Sequence, residues 1–169
     1  MTDPLEKQVQ GELKKGRSKQ SILKGLATAD NREELSWILN QYPTDKKKQK
    51  ILFLNWLLIL VLLIITMKKL YFIALIQLNA ISIHQFSPLL LVELIVPAIN
   101  FYILTKLIRF YRQGYQFAAL LSLLALIHPE NRIMPDIVMY LTVITLSIFL
   151  FSYLFPKQEK LGDKVLPVK

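Results

Sequence analysis

The sequence predicts an all-α fold: an integral membrane helical bundle of four transmembrane helices, preceded by a small cytoplasmic helical segment. Composition is the first observation, since 53% of the 169 residues are apolar and only 20% are charged. Segregation is the second: 11 of the 21 Lys and Arg lie within residues 1–50, whereas charges are sparse between Ile51 and Phe155. The third is the recurrence of apolar runs of about bilayer length with basic flanks.

The basic segment at residues 1–50 predicts three short helices and the start of a fourth. Gly16 is expected to end the first helix and Ser18 to cap the second, and Asn31 with Glu34 has the spacing of a capping box for the third. Because apolar residues in these helices are few, the segment is expected to lean on the membrane, the loops or a partner. It could be a solvated flank that sets topology or a docking module for a partner. Nucleic-acid binding is the weakest alternative, because acids interleave its bases and no reading helix is recognisable.

Four segments are expected to cross the bilayer within a domain at 51–156, followed by a cytoplasmic tail at 157–169. Residues 70–87 stay open: this apolar but polar-spotted stretch could span, lie at the interface or re-enter. The four predicted spans are residues 51–67, 89–105, 115–128 and 137–155.

The distribution of Lys and Arg favours this arrangement, because basic residues prefer the cytoplasmic side of short loops. With both termini inside, 18 of the 21 Lys and Arg are cytoplasmic, against Lys68, Lys69 and Arg132 outside. If residues 70–86 also span, 12 of the Lys and Arg lie inside and 9 outside. If residues 70–86 span and residues 115–128 only dip into the membrane and return, 15 lie inside and 6 outside. The layout resembles that of small bacterial membrane proteins, so the expected location is a bacterial inner membrane, multi-pass, with both termini cytoplasmic.

Polar residues inside predicted spans are the functional candidates, because ionisable groups in lipid are costly. Glu93 is the only acid well inside a span, and Pro97 and Asn100 follow it on one helical face. Pro97 is expected to kink this helix and free a carbonyl group near Glu93. Glu93 is expected to face the bundle, neutral or paired with Lys69, Arg132 or His128. Asn55 and Asn100 fall at similar depths, so an interhelical amide pair is geometrically possible.

Basic residues at the predicted cytoplasmic surface are expected to contact anionic lipid headgroups. The partners expected are therefore the bilayer itself and either another protein or a second copy of the chain, with no nucleic acid. The headgroup candidates are Lys46, Lys47, Lys48, Lys50, Arg109 and Arg112.

Reaction chemistry is not visible in the sequence. The chain has no cysteine, which excludes thiolate metal ligands and a cysteine nucleophile. Gly-rich phosphate loops, nucleophile elbows and zinc-protease patterns are absent, and neither a cofactor nor a metal is expected. We therefore expect a non-enzymatic membrane protein that acts by association, as a scaffold, assembly factor or accessory subunit. The alternatives are a small transporter or channel component that uses Glu93, and a membrane-embedded enzyme acting on lipids.

Overall fold

The computed structural model describes residues 4–28, 31–82 and 92–155, without the side chain of Lys46. The all-α prediction is confirmed, because these ranges contain helices and short connections and no β-strand. The predicted tail at 157–169 lies outside the described residues. The helices are α1 (Pro4–Lys14), α2 (Lys19–Leu26), α3 (Arg32–Gln41), α4 (Asp45–Ser82), α5 (Ile95–Ile108), α6 (Arg112–Ala125) and α7 (Asp136–Leu154), with a 3₁₀ helix at Pro129–Arg132.

Helices α1 to α3 form the N-terminal module, and two of its boundaries follow the predicted local signals. Gly16 ends α1 with a φ of 78°, in the left-handed region that glycine adopts without steric cost. Ser18 caps α2, since its side chain accepts a hydrogen bond of 3.2 Å from the backbone N–H of Ser21.

The predicted capping box at the start of α3 is wrong. Asn31 makes no side-chain capping bond to α3. Its amide oxygen accepts from the Thr28 backbone N–H at 2.7 Å, and its amide nitrogen donates to the Leu26 carbonyl group at 3.2 Å. Asn31 therefore closes the α2–α3 loop, a use of asparagine that competes with helix capping.

The module has a small apolar core that the bundle completes. Tyr111, in the turn between α5 and α6, is buried against this core. A unit with so few buried apolar residues gains little burial on its own, and the contact with the loops expected from the sequence is present. The other core residues are Val9, Leu13, Ile22, Leu23, Leu35, Ile38, Leu39 and Tyr42.

A hydrogen-bonded network joins the module to the α5–α6 turn. The hydroxyls of Tyr42 and Tyr111 both donate to one carboxylate oxygen of Glu6, the latter at 3.3 Å. Gln10 Nε2 donates to the Tyr42 hydroxyl at 2.7 Å, and the two tyrosine rings meet edge to face at 4.9 Å between centroids. Lys106 Nζ lies 4.4 Å from the Tyr111 ring centroid. Burial, and then the neighbouring Glu6 carboxylate, raise the pKa of both tyrosines above the usual value.

Helix α4 is one continuous helix of 38 residues, which at 1.5 Å per residue is about 57 Å long. Lys68 and Lys69 lie within it. Residues 70–82 therefore extend the first predicted span and do not form a separate antiparallel one. Residues 83–91 lie outside the described ranges.

Helices α4 to α7 pack in a ring, in which α4 contacts α5 and α7, and α6 contacts the same two helices. Their apolar side chains meet in one core that includes Leu58, Leu107, Tyr115, Val143 and Leu150. The ring is the structure of a four-helix bundle, with the N-terminal module at one end.

The α5–α6 turn is tight and brings the two helices into close contact. Phe110 adopts a φ of 55°, a left-handed conformation that reverses the chain within the turn. A Cβ atom on Gly114 would lie only 3.0 Å from the Lys106 Cβ and 3.1 Å from the Leu107 backbone nitrogen. Only glycine fits this approach without a shift of α5 or α6.

In the described ranges, α4 and α7 are the two helices long and apolar enough to cross a membrane. The described part of the predicted span 89–105 is a 3₁₀ turn at 92–94 followed by α5, and 115–128 corresponds to α6 at Arg112–Ala125. With 14 residues each, α5 and α6 are shorter than the roughly 20 residues that span a typical bilayer core. The four-helix domain is thus present, whereas four membrane crossings are not confirmed.

Candidate functional site

The start of α5 positions the three polar candidates of the second predicted span. Glu93 lies in the 3₁₀ turn at 92–94 and is exposed, whereas Pro97 and Asn100 are buried. Pro97 is the third residue of α5, which begins at Ile95. Proline therefore occupies the first turn of α5, where its missing N–H interrupts no hydrogen bond within that helix, and the kink stays a prediction.

Glu93 opens onto a cavity at the distal end of the bundle, the end away from the N-terminal module. This distal cavity has a volume of about 570 Å³ and lies between α4, the start of α5, the α6–α7 connection and α7. Apolar residues of α4, such as Ile65 and Phe72, form one wall. Its polar lining consists of Lys68, Lys69, Glu93, His128, Glu130, Asn131, Asp136 and Tyr140.

One ion pair crosses the distal cavity. Lys68 Nζ donates to the Asp136 carboxylate at 2.5 Å and joins α4 to the first residue of α7. The carboxylate also lies at the positive end of the α7 dipole, a position that favours an acid. Among the described residues, neither Lys69 nor Glu93 forms an ion pair. Within the described part of the chain, the cavity therefore holds one lysine, Lys69, and two acids, Glu93 and Glu130, that form no ion pair.

Of the three residues expected to pair with Glu93, two line its cavity and one does not. Lys69 and His128 line the same cavity as Glu93. Arg132 does not: its guanidinium donates to the carbonyl groups of Leu126 at 2.8 Å and Ile127 at 3.1 Å, at the end of α6. Arg132 therefore satisfies carbonyl groups that the helix end leaves without partners.

Asn100 lines a second, deeper chamber of about 270 Å³ together with Ser122 of α6. The chamber shares Lys69, His128 and Tyr140 with the distal cavity, so the two spaces adjoin. Most of its remaining lining is apolar. The space as a whole thus combines charged groups near its mouth with an apolar interior, which is the lining that an amphipathic small molecule prefers.

Asn55 is buried at a different level, close to the module. Its amide nitrogen donates to the Leu107 carbonyl group at 3.3 Å, and its amide oxygen accepts from the Tyr115 hydroxyl at 2.6 Å. The amide pair with Asn100 is therefore not formed; polar contacts to α5 and α6 take its place. Tyr115 is a residue that the sequence analysis missed, because a tyrosine at a span end is ordinarily assigned to the interfacial belt.

The residues expected to contact lipid headgroups lie in different environments. Lys47, Lys48 and Lys50 lie in the first two turns of α4, whereas the side chain of Lys46 lies outside the described part of the chain. Lys48 pairs with Asp45 at 2.9 Å. Arg109 is exposed in the α5–α6 turn. The remaining candidate, Arg112, has its guanidinium carbon 5.2 Å from the Phe151 ring centroid and 5.9 Å from that of Phe155.

In the part of the chain that the structure describes, no group of three His, Cys, Asp or Glu could hold a metal ion. Comparison of the chain with known protein families, with curated proteins and with solved structures finds no match.

Proposed function

We propose that the chain is a multi-pass membrane protein that acts by association and not by catalysis. In this proposal α4 to α7 are embedded in the bilayer, and the N-terminal module and both termini are cytoplasmic. The bundle holds the module at the membrane surface, where a protein partner or a second copy of the chain binds it. The role is that of a scaffold, an assembly factor or an accessory subunit.

The apolar surface of the bundle supports the location. Only 39% of the most apolar stretch of α4 and 28% of that of α7 are buried inside the protein. A core helix of a water-soluble protein would be mostly buried. Large apolar side chains also point outwards on the other two helices, as Tyr102 and Leu123 do. A monomer in water rarely exposes apolar surface on this scale, whereas lipid solvates it.

The proposal that the chain acts by association rests on the contact between the module and the α5–α6 turn. Glu6, Tyr42 and Tyr111 hold the three helices in one place, so the module presents fixed faces. On the outer face of α3, Trp37 is 53% exposed and lies beside the exposed Glu33 and Glu34. Tryptophan is enriched at the centres of protein interfaces, and neighbouring acids disfavour insertion among anionic headgroups.

Site-specific photo-crosslinking in intact cells tests this proposal. With a photoreactive residue in place of Trp37, we expect discrete adducts heavier than the 19.6 kDa chain. The matched control is the same residue at Lys24, which is exposed on α2 of the same module. Adducts at position 37 alone support a partner on α3, whereas no adduct, or the same pattern at both positions, contradicts it.

A transporter or channel component is the second candidate, favoured by the distal cavity. Glu93, Lys69 and His128 line this cavity together, and Asn100 extends the polar lining inwards. Intramembrane acids commonly lie on ion pathways. The buried layer of Leu58, Asn55 and Tyr115 separates the deeper chamber from the module, so conduction would need this layer to open.

Paired variants distinguish the two functions. If Glu93 is structural, Glu93→Gln should keep both stability and the cellular phenotype, because Gln retains the shape and hydrogen bonding of the side chain. If Glu93 carries protons or cations, the same variant should abolish flux into proteoliposomes while its melting temperature stays unchanged. Glu130→Gln is the control, since it removes an acid that lines the same cavity from the α6–α7 connection. We expect the structural pattern.

A further inference from the structure

A second polar cavity lies at the opposite end of the bundle, between the N-terminal module, the start of α4 and the α5–α6 turn. This cavity, the basic cleft, has a volume of about 540 Å³. Its charged lining residues are Lys7 and Lys14 of α1, Lys48 of α4 and Arg109 of the turn. Four cations from three separate parts of the chain thus converge on one concave site.

Among the described residues, an ion pair engages one of these four cations. Lys48 pairs with Asp45 at 2.9 Å. Lys7, Lys14 and Arg109 form no ion pair with any described residue. Concave walls focus the field of like charges, so the cleft is a region of positive potential for small anions.

Glu6 of α1 does not line the cleft, although its carboxylate bonds the Tyr42 hydroxyl at the floor and so offsets part of the positive charge. The carboxylate of Glu6 accepts the hydroxyl groups of Tyr42 and Tyr111. The floor of the cleft is instead the neutral pair of Gln10 and Tyr42, which bond to each other at 2.7 Å. No carboxylate lines the cleft in the described ranges.

We propose that the basic cleft binds a phosphate-bearing anion. Lys7, Lys14 and Arg109 would supply charge-assisted hydrogen bonds to phosphate oxygens, and the guanidinium of Arg109 can bond two of them at once. The volume exceeds that of a single phosphate group and falls in the range of small-molecule sites, so it accommodates a phosphorylated headgroup or a diphosphate. Ile108 and Phe110 add an apolar wall beside the charged groups.

This inference goes beyond the proposed function, because it assigns a ligand chemistry that association does not require. It also differs from the diffuse headgroup contact expected from the sequence. Of the residues expected to contact headgroups, Lys48 and Arg109 line the cleft, whereas Arg112 lies against the Phe151 ring. Lys7 and Lys14, which were not among those residues, also line the cleft. The phosphate could belong to an anionic lipid or to a soluble compound.

The test uses the purified full-length chain and two probes. Pyrophosphate is titrated against the protein in neutral detergent, with calorimetric Kd and ligand-dependent melting temperature as readouts. In parallel, the protein in nanodiscs is assayed for retention of phosphatidylglycerol over phosphatidylcholine by native mass spectrometry. Binding to pyrophosphate identifies a soluble phosphate as sufficient, whereas selective retention of phosphatidylglycerol without pyrophosphate binding identifies a lipid headgroup.

Two charge-matched double variants decide whether the cleft is the site. Lys14→Gln with Arg109→Gln removes two cleft cations, and Lys15→Gln with Lys24→Gln removes two exposed cations of the same module outside the cleft. We expect the first pair to weaken binding by about tenfold or more, and the second by less than about twofold, after solvent screening is allowed for. Equal weakening by both pairs, or no wild-type binding to either probe, would overturn the proposal. Circular dichroism checks that both pairs fold.

Discussion

At the residue scale, the buried amides of the bundle have two kinds of surroundings: Asn55 has side-chain and backbone partners, whereas Asn100 lines a chamber. Asn55, Glu93 and Asn100 can be recognised as candidates in the sequence, because a polar group within an apolar run is costly unless it has a structural or functional role. Their partners depend on how neighbouring helices are rotated and staggered, which one sequence does not specify. Asn55 therefore bonds to Tyr115 and Leu107 instead of to Asn100, whereas Asn100 lines a chamber.

Gly114 shows the same limit, because the sequence analysis did not single it out and yet it permits a close approach of α5 and α6, on a buried face that it shares with Ala118 and Ser122. Adding a methyl group in Gly114→Ala would place a carbon about 3 Å from backbone and Cβ atoms of residues 106 and 107. We expect the variant to lose about 1–3 kcal/mol of stability, the usual cost of overpacking. Thermal unfolding of the purified protein in detergent measures it.

Gly25 provides the matched control for this substitution. It lies within α2, and an added Cβ there would meet nothing within 4 Å. Gly25→Ala should therefore be neutral or stabilise the chain by about 0.5–1 kcal/mol, through reduced entropy of the unfolded chain. Similar effects of both substitutions would contradict the close approach at Gly114.

At the element scale, helix boundaries with a local cause could be predicted and those with a tertiary cause could not. Gly16 and Ser18 act within their own turns, so their roles follow from residue type. The capping role predicted for Asn31 fails because the same side chain can bond the preceding loop. Hydropathy likewise does not predict that α4 continues through Lys68 and Lys69. It shows where an apolar run ends, but a helix has the same backbone conformation in water and in lipid and so need not end there.

The junction of the module and the bundle should weaken in alkali. Burial and the Glu6 carboxylate raise the pKa of Tyr42 and Tyr111, so both resist ionisation while the module is docked. An undocked tyrosine ionises at a pH near 10. The stability that these hydroxyls contribute is therefore complete below pH 10 and is lost as the pH rises above it.

Thiol accessibility measures this loss, because the chain has no cysteine of its own. Leu13→Cys places a thiol in the buried module core, and Lys24→Cys provides an exposed reference that corrects for thiol ionisation. The ratio of the two labelling rates should rise several-fold between pH 8 and pH 11. With Tyr42→Phe in the background the rise should be smaller, because one ionisable hydroxyl is gone. A ratio that stays flat in the wild-type background would show that the tyrosines do not control docking.

At the scale of the whole molecule, composition and charge segregation sufficed to predict an all-helical chain with a basic module before an apolar bundle. The same observations did not determine the number of membrane crossings. Helices of 14 residues such as α5 and α6 are apolar enough to be predicted as spans but are shorter than a bilayer core requires. Helix α4 presents the opposite problem. Even tilted by 40°, its length of about 57 Å rises about 44 Å, more than a typical hydrocarbon core of about 30 Å.

The excess length of α4 leads to a prediction about which residues lie outside. Lys flanks are expected to anchor residues 51–67 in the bilayer, so residues 70–82 should project from the side away from the module. Single cysteines at Leu78 and Glu130 should then react with an impermeant thiol reagent in intact cells. Cysteines at Lys24 and Arg109 should react only after the membrane is permeabilised. Because the module contacts the turn that contains Tyr111, Lys24 and Arg109 must lie on the same side if the described fold is intact. Labelling of both in intact cells would invert the orientation, whereas labelling of Arg109 alone would contradict the contact between module and bundle itself.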